Sequence, residues 1–211
     1  MSDGGAVMRT RHNRQPPDCR LVLVRHAMAE GEGRFQGQAD VPLSPAGRRQ
    51  LPTLCRKLRP YKITVAYASD LRRARSTAAF AARRLGVGLE VRLGLREMHF
   101  GKWQGLSWDQ VLEQSPHSAR RWAKQFPRGL VPGGERFVQF KLRVRRELRA
   151  IAAANPAQSV LVVTHAGVIR VALGSALGVP DRNLFRFAVD PCGLSVIDHF
   201  RHGLVVRCVN D

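Results

Sequence analysis

Three short runs in this chain, LVLV (21–24), ITVAYAS (63–69) and SVLVVTH (159–165), are dominated by consecutive apolar residues. A strand wetted on one face alternates apolar and polar residues, and a strand covered on both faces need not. Each run precedes a helical pattern: SPAGRRQLPTLCRKL (44–58) after a Ser44 cap, DLRRARSTAAFAARRL (70–85), and residues 167–177. Pro52 argues against the first being an unbroken helix. A short strand is expected near 89–93, and 107–125 reads as helix broken at Pro116. Residues 135–154 form a long amphipathic helix with Phe137, Phe140, Val144, Leu148 and Ile151 on one face. Its arginines fall mostly on the other face, where solvation is their default reading. GLSVIDHF and GLVVRCV pair as a hairpin around Arg201-His202-Gly203. The expected fold is α/β: a three-layer α/β/α sandwich with a mainly parallel sheet and an antiparallel C-terminal hairpin.

A chain of 211 residues suits one well-buried domain. That domain is expected over 19–211, behind a polar, flexible N-terminal tail over 1–18. No membrane span is expected, because the most apolar region (159–178) is interrupted by His165 and Arg170. The start of the chain has no signal-like apolar stretch. Four cysteines stand far apart with no CxxC pair, so neither a disulfide framework nor a zinc site is expected, in keeping with the cytoplasm. The charge is unusual: 35 basic against 16 acidic residues give +19. Nucleic acid is the partner that such a balance raises. The basic residues, mostly arginine, are spread from Arg9 to Arg207 without an aromatic-basic platform. Specific nucleic-acid binding is therefore not expected, and a polyanion-binding or regulatory module is the reading kept beside catalysis. The sequence leaves a homodimer open.

In parallel sheets the ligand crevice lies at the carboxyl ends of the strands. The first strand ends in Arg25-His26, the second in Ser69 with Arg73 a turn beyond, and the third in Thr164-His165. The segment after the short strand offers Glu97. Singly, each has a bland reading. A strand-end histidine is by default a satisfied polar group, Glu97 could pair with Arg96 or Arg92, and Arg72 and Arg75 compete with Arg73. Arg11-His12, in the tail, repeats the dipeptide and follows no strand. His99, His117, His199 and His202 are expected to be structural or exposed. Two arginines, two histidines and a carboxylate at one edge are harder to dismiss.

That set describes phosphoryl transfer through a covalent histidine. A neutral imidazole can attack phosphorus and divide one hard displacement into two easier ones. Arginine forks match the phosphoryl oxygens, and a second histidine, protonated beside the phosphate, adds a donor. A carboxyl group can protonate the leaving alkoxide and then accept a proton from attacking water. No metal or cofactor is called for, and no GxxxxGK[ST] loop is present.

On these residues the chain resembles the histidine phosphatase superfamily, the phosphoglycerate-mutase-like proteins. LVRHA resembles the family's RHG signature, which implies His26 as nucleophile and Arg25 as phosphate ligand. FQGQADVPLSPAGRRQ (35–50) is similar to its G…D.PLS..G..Q segment. ASDLRRARSTA resembles S.L.RA..TA and selects Arg73. LREMHFGKWQGLSW resembles L.E..FG.WEG and implies Glu97 as proton donor. VVTHAGVIR resembles the segment with the second histidine, His165, which serves both catalysis and phosphate binding. The implied substrate is a small-molecule phosphate monoester. VPGGERF (131–137) and NLFRFAVDPCGLSVIDHF resemble the α-ribazole phosphatases within the superfamily, which implies α-ribazole 5′-phosphate and a place in cobalamin biosynthesis. A broad-specificity phosphatase and a mutase-type phosphotransferase are the alternatives. Two departures stand out. Ala27 replaces a glycine, so its methyl is expected to crowd the backbone near the phosphate. The loop after His26 is short and lacks the usual polar residues, leaving Gln36 and Gly37 as candidate substrate contacts.

Overall fold

The computed structural model describes residues 16–211. The sheet contains β1 (Cys19–Arg25), β2 (Val65–Ala68), β3 (Gly88–Val91), β4 (Gln158–Thr164), β5 (Leu194–Phe200) and β6 (Gly203–Cys208), in the order β3-β2-β4-β1-β5-β6. The first four neighbours in that order run parallel, and β5 and β6 close the edge antiparallel. Helices α1 (Pro45–Leu58), α2 (Arg72–Leu85), α3 (Trp108–Gln114), α4 (Pro116–Gln125), α5 (Phe137–Ala154) and α6 (Ala166–Leu177) complete the chain order. Strand β1 shows why its apolar run does not alternate. Leu21 and Leu23 pack on one face with Phe140, Val144, Ile151 and Ile169 of α5 and α6. Val22 and Val24 pack on the other with Leu54 and Leu58 of α1 and Ala74, Ala78 and Ala81 of α2. The alanine-rich face of α2 brings that helix close to the sheet.

Helix α1 runs through Pro52. The proline stands on the exposed face, where water satisfies the carbonyl it leaves without a donor, while Leu51, Leu54 and Leu58 bury the opposite side. Ser44 caps the helix, its Oγ accepting from the Gly47 amide at 3.0 Å. The tail expected over 1–18 lies outside the described residues as far as residue 15. Asp18 is already joined to the sheet, its amide donating to the His199 carbonyl at 2.8 Å and its carbonyl accepting from Ala157 at 2.6 Å. Among the described residues no helix is long and apolar enough to cross a membrane.

Strand register does most to build a site. Arg25 at the end of β1 lies opposite Thr164 at the end of β4. The residue after each is a histidine, and the His26 amide donates to the Thr164 carbonyl at 2.9 Å. Two segments 139 positions apart thus leave the sheet side by side.

Candidate active site

The His26 and His165 rings meet edge to face with centroids 5.1 Å apart, and both residues are buried. Geometry assigns the His26 tautomer. Arg73 Nε lies 3.2 Å from His26 Nε2, and a guanidinium only donates, so Nε2 presents its lone pair there. The proton then sits on Nδ1, which donates to the Ala27 carbonyl at 2.8 Å. Burial, followed by the nearby Arg73 charge, holds the His26 pKa well below the usual histidine value, so the ring is neutral near pH 7. A neutral imidazole with a basic nitrogen facing a guanidinium is competent as a nucleophile.

Arg73 is itself 1% exposed. Its Nη1 donates to the Ala39 carbonyl at 2.7 Å and its Nη2 to the Gly37 carbonyl at 2.6 Å. Arg72 and Arg75, its sequence competitors, point to solvent. Arg25 donates through Nη1 to the Val189 carbonyl and through Nη2 to Glu32, each at 2.9 Å, while its Nε is buried without a partner among the described residues. His165 is more exceptional. Both of its ring nitrogens are buried without a hydrogen-bond partner among the described residues. Leaving a buried polar group unpaired costs about 1–3 kcal/mol, so the bland reading of a satisfied core histidine does not describe His165. Burial, then His26 and the neighbouring arginines, lowers its pKa well below the usual value. The protonated state expected beside phosphate is therefore not that of the free site, where nothing anionic offsets this desolvation.

Glu97 completes the set from the 3₁₀ turns after β3. Its Oε1 accepts from the Met98 amide and its Oε2 from the Gly167 amide at the start of α6, both at 2.9 Å. It pairs with neither arginine that competed for it: Arg96 forks onto Asp70, and Arg92 reaches Glu90 and Glu147. A Cβ on Gly167 would come within 2.2 Å of Glu97 Oε1, so a larger residue there would displace the Glu97 carboxylate from this position.

A model of the histidine phosphatase superfamily (branch 1) matches residues 21–211. The chain belongs to the histidine phosphatase superfamily. This superfamily member is 35% identical over 195 residues to the bifunctional protein Rv2228c of Mycobacterium tuberculosis, covering 90% of the chain and 53% of the relative. The chain thus spans about half the length of that relative. The adenosylcobalamin/alpha-ribazole phosphatase of Salmonella typhimurium is 31% identical over 181 residues, covering 85% of this chain and 90% of the relative. The solved structure of a mycobacterial glucosyl-3-phosphoglycerate phosphatase superposes with a TM-score of 0.80 at 28% identity, covering 90% and 98% of the two chains.

The superfamily segment PLSPAGRRQ proves to be a cradle for the backbone behind His26. The Pro42 carbonyl accepts from the Glu30 amide at 3.0 Å, and Leu43 bridges Ala29. Ser44 Oγ donates to the Met28 carbonyl, and Gln50 accepts from the Met28 amide at 2.9 Å. A Cβ at Gly47 would lie 1.9 Å from the Met28 carbonyl oxygen, so only glycine admits that contact. The Ala27 methyl meets apolar neighbours. It is fully buried in a small apolar cluster with Leu43 and Leu51, and its amide donates to Thr77 Oγ1. The Gln36 side chain donates through Nε2 to the Glu30 carbonyl at 2.8 Å, tying the loop to itself. Gly37 contributes a carbonyl to Arg73.

Three residues missed by sequence reasoning hold this superfamily member's site. Glu32, one of two acids in a glycine-containing loop, reaches Arg25. Asp40 accepts from the Arg72 amide at 2.6 Å, anchoring the start of α2 one residue before Arg73. Arg143 of α5, read as a solvated arginine, forks onto Glu135 at 2.8 and 3.1 Å. It also donates to the Gly94 and Arg96 carbonyls at 3.0 and 2.8 Å, and to the Glu97 carbonyl at 3.4 Å. The acid in VPGGERF was the available signal for Arg143, and the D of FQGQADVPLSPAGRRQ that for Asp40. Among the described residues no group of three or more His, Cys, Asp or Glu is arranged to hold a metal ion.

Proposed function

We propose that the protein is a phosphomonoesterase acting through a phosphohistidine on His26. The observation that carries this reading is the buried His165 ring, whose nitrogens have no hydrogen-bond partner among the described residues, beside a neutral His26 whose Nε2 lone pair faces Arg73. In the first step His26 Nε2 forms a bond to phosphorus as the ester P–O bond breaks. Glu97 gives its proton to the departing alkoxide. Arg25, Arg73 and His165 hold the three equatorial phosphoryl oxygens, on which charge is concentrated. In the second step water attacks the phosphohistidine, Glu97 takes the water proton, and the P–N bond breaks to release phosphate and neutral His26.

For the substrate, α-ribazole 5′-phosphate is the reading that the segments at 131–137 and 183–200 support, together with the Salmonella relative. A relative in fold is named for glucosyl-3-phosphoglycerate, so the choice rests on turnover. A panel of phosphomonoesters including all these compounds is expected to rank α-ribazole 5′-phosphate first. A brief pulse of labelled substrate is expected to leave acid-labile phosphate on the wild type and none on His26→Ala. Equal labelling of that variant would remove His26 from the nucleophile's place.

A further inference from the structure

Along the chain the basic residues run from Arg9 to Arg207 with no evident centre, and folding gives them one. Residues 45–85, which build α1, β2 and α2, hold eleven basic residues and a single acid, Asp70. Asp70 is taken by the Arg96 fork, and Arg73 is drawn into the catalytic edge. The other ten cations are exposed, and none is in an ion pair among the described residues. Helix α1 presents Arg48, Arg49, Arg56 and Lys57, and the turn after it presents Arg59 and Lys62. Helix α2, packed beside α1 on the same face of the sheet, presents Arg72, Arg75, Arg83 and Arg84. They share one surface because the leucines of α1 and the alanines of α2 turn the opposite faces to the sheet. On the other layer the signs are mixed: Lys141 meets Asp181, Arg143 meets Glu135, and Glu147 lies beside Arg92. Like charges gathered this way repel one another, and packing offers nothing in return.

We propose that the α1–α2 layer is a docking surface for double-stranded nucleic acid, held through its phosphates. The surface is separate from the catalytic edge and does not depend on the phosphomonoesterase reading. Charge density selects the partner first. Helix α1 has 14 residues and is therefore about 21 Å long. A duplex of that length carries about twelve phosphate charges, close to the ten exposed cations of the layer. Eight of the ten are arginine, whose planar fork matches a pair of phosphate oxygens. A membrane fits less well, because no exposed large hydrophobic residue lies between 45 and 85 to enter a lipid surface. A single strand fits less well too, for want of rings on which bases stack. Tyr61 and Phe80 are half-buried, and the Arg84 guanidinium stands over Phe80 at 5.6 Å. Phosphate contacts hold a duplex without reading its bases, in keeping with the absence of an aromatic-basic platform.

The test follows the full chain by fluorescence anisotropy against a labelled DNA duplex of about two helical turns, from about 50 to 200 mM salt. Saturable binding is expected at the lower salt, weakening about a thousandfold at the higher, the dependence of about six phosphate contacts. The triple variant Arg49→Gln, Arg56→Gln, Arg83→Gln is expected to bind about a hundredfold more weakly at the lower salt. Its salt slope is expected to be shallower by about three. Arg120→Gln, Arg146→Gln, Arg149→Gln removes the same charge from α4 and α5 and is expected to stay within about threefold of the wild type. Urea midpoints check that both triples fold. A second readout needs no variant: the duplex is expected to protect Lys57 and Lys62 from acetylation and to leave Lys124, exposed on α4, reactive. Absence of saturable binding at the lower salt overturns the surface, as do equal losses in the two triples or equal protection of Lys124. Tighter binding to phosphatidylserine vesicles, or to a single strand of the same length, also overturns it.

Discussion

Arg25 meets its surroundings through three nitrogens, and in the free protein two already have acceptors, Val189 and Glu32. A phosphate dianion arriving at Nη2 must compete with the Glu32 carboxylate, which belongs to the short loop after His26. Glu32 is 37% exposed, so water screens the pair and lowers the cost of parting it. Glu32→Gln removes the competing charge. Inorganic phosphate, measured as a competitive inhibitor, is expected to bind about threefold more tightly to that variant, with the gain shrinking as salt rises. Weaker phosphate binding would instead make Glu32 a substrate-positioning group. Ala27 makes a complementary point. Its methyl is harmless because Leu43 and Leu51 receive it, and no reading of Ala27 in isolation reveals those two neighbours.

At the scale of elements, Arg143 connects α5 to the turn that carries Glu97. One guanidinium satisfies three consecutive-turn carbonyls and the Glu135 carboxylate, so the turn's backbone and the helix move as one body. Arg143→Met leaves Glu135 and those carbonyls short of donors. A stability loss of about 3 kcal/mol in urea denaturation is expected. A purely structural role would lower hydrolysis of all esters alike. A positioning role for Glu97 lowers kcat on alkyl phosphates, whose leaving group needs a proton, by about a hundredfold and on aryl phosphates much less. Arg143→Lys, unable to fork, should restore only part of the difference. The elements themselves were largely legible. Unbroken apolar runs marked buried strands, and 3.6-residue periodicity marked α5. Arg143 was not legible, because helical periodicity places it beside solvated arginines and only the packed 94–97 turn gives it acceptors. Pro52 misled for the opposite reason: its local penalty is real, but three buried leucines on the other face outweigh it.

For the whole molecule, burying two neutral histidines links stability to pH. Their folded-state pKa values lie well below the unfolded value near 6.5, and burial lowers His199 in the same direction. Below about pH 6.5 the unfolded chain therefore holds more protons than the folded one, and stability falls as pH falls. Urea midpoints are expected to drop between about pH 6.5 and 5, each buried histidine adding up to about tenfold per pH unit to the unfolding constant. The double variant His26→Asn, His165→Asn should flatten that slope, and a flat wild-type profile would contradict the neutral pair.

The sequence alone determined the layered α/β fold, because two-sided burial and helical periodicity are written in local residue order. It also determined which groups end the strands, since Arg25, His26, Thr164 and His165 follow directly on apolar runs. Only the tertiary structure decided that β1 and β4 are neighbours in register, which sets the two rings 5.1 Å apart. It alone decided that Glu97 rests on backbone amides, that Glu32 competes for Arg25, and that rings from α4 and the turn after α6 enclose the space beside Glu97. Strand order, backbone donors and contacts between distant segments arise when the chain closes on itself, and local sequence patterns do not record them.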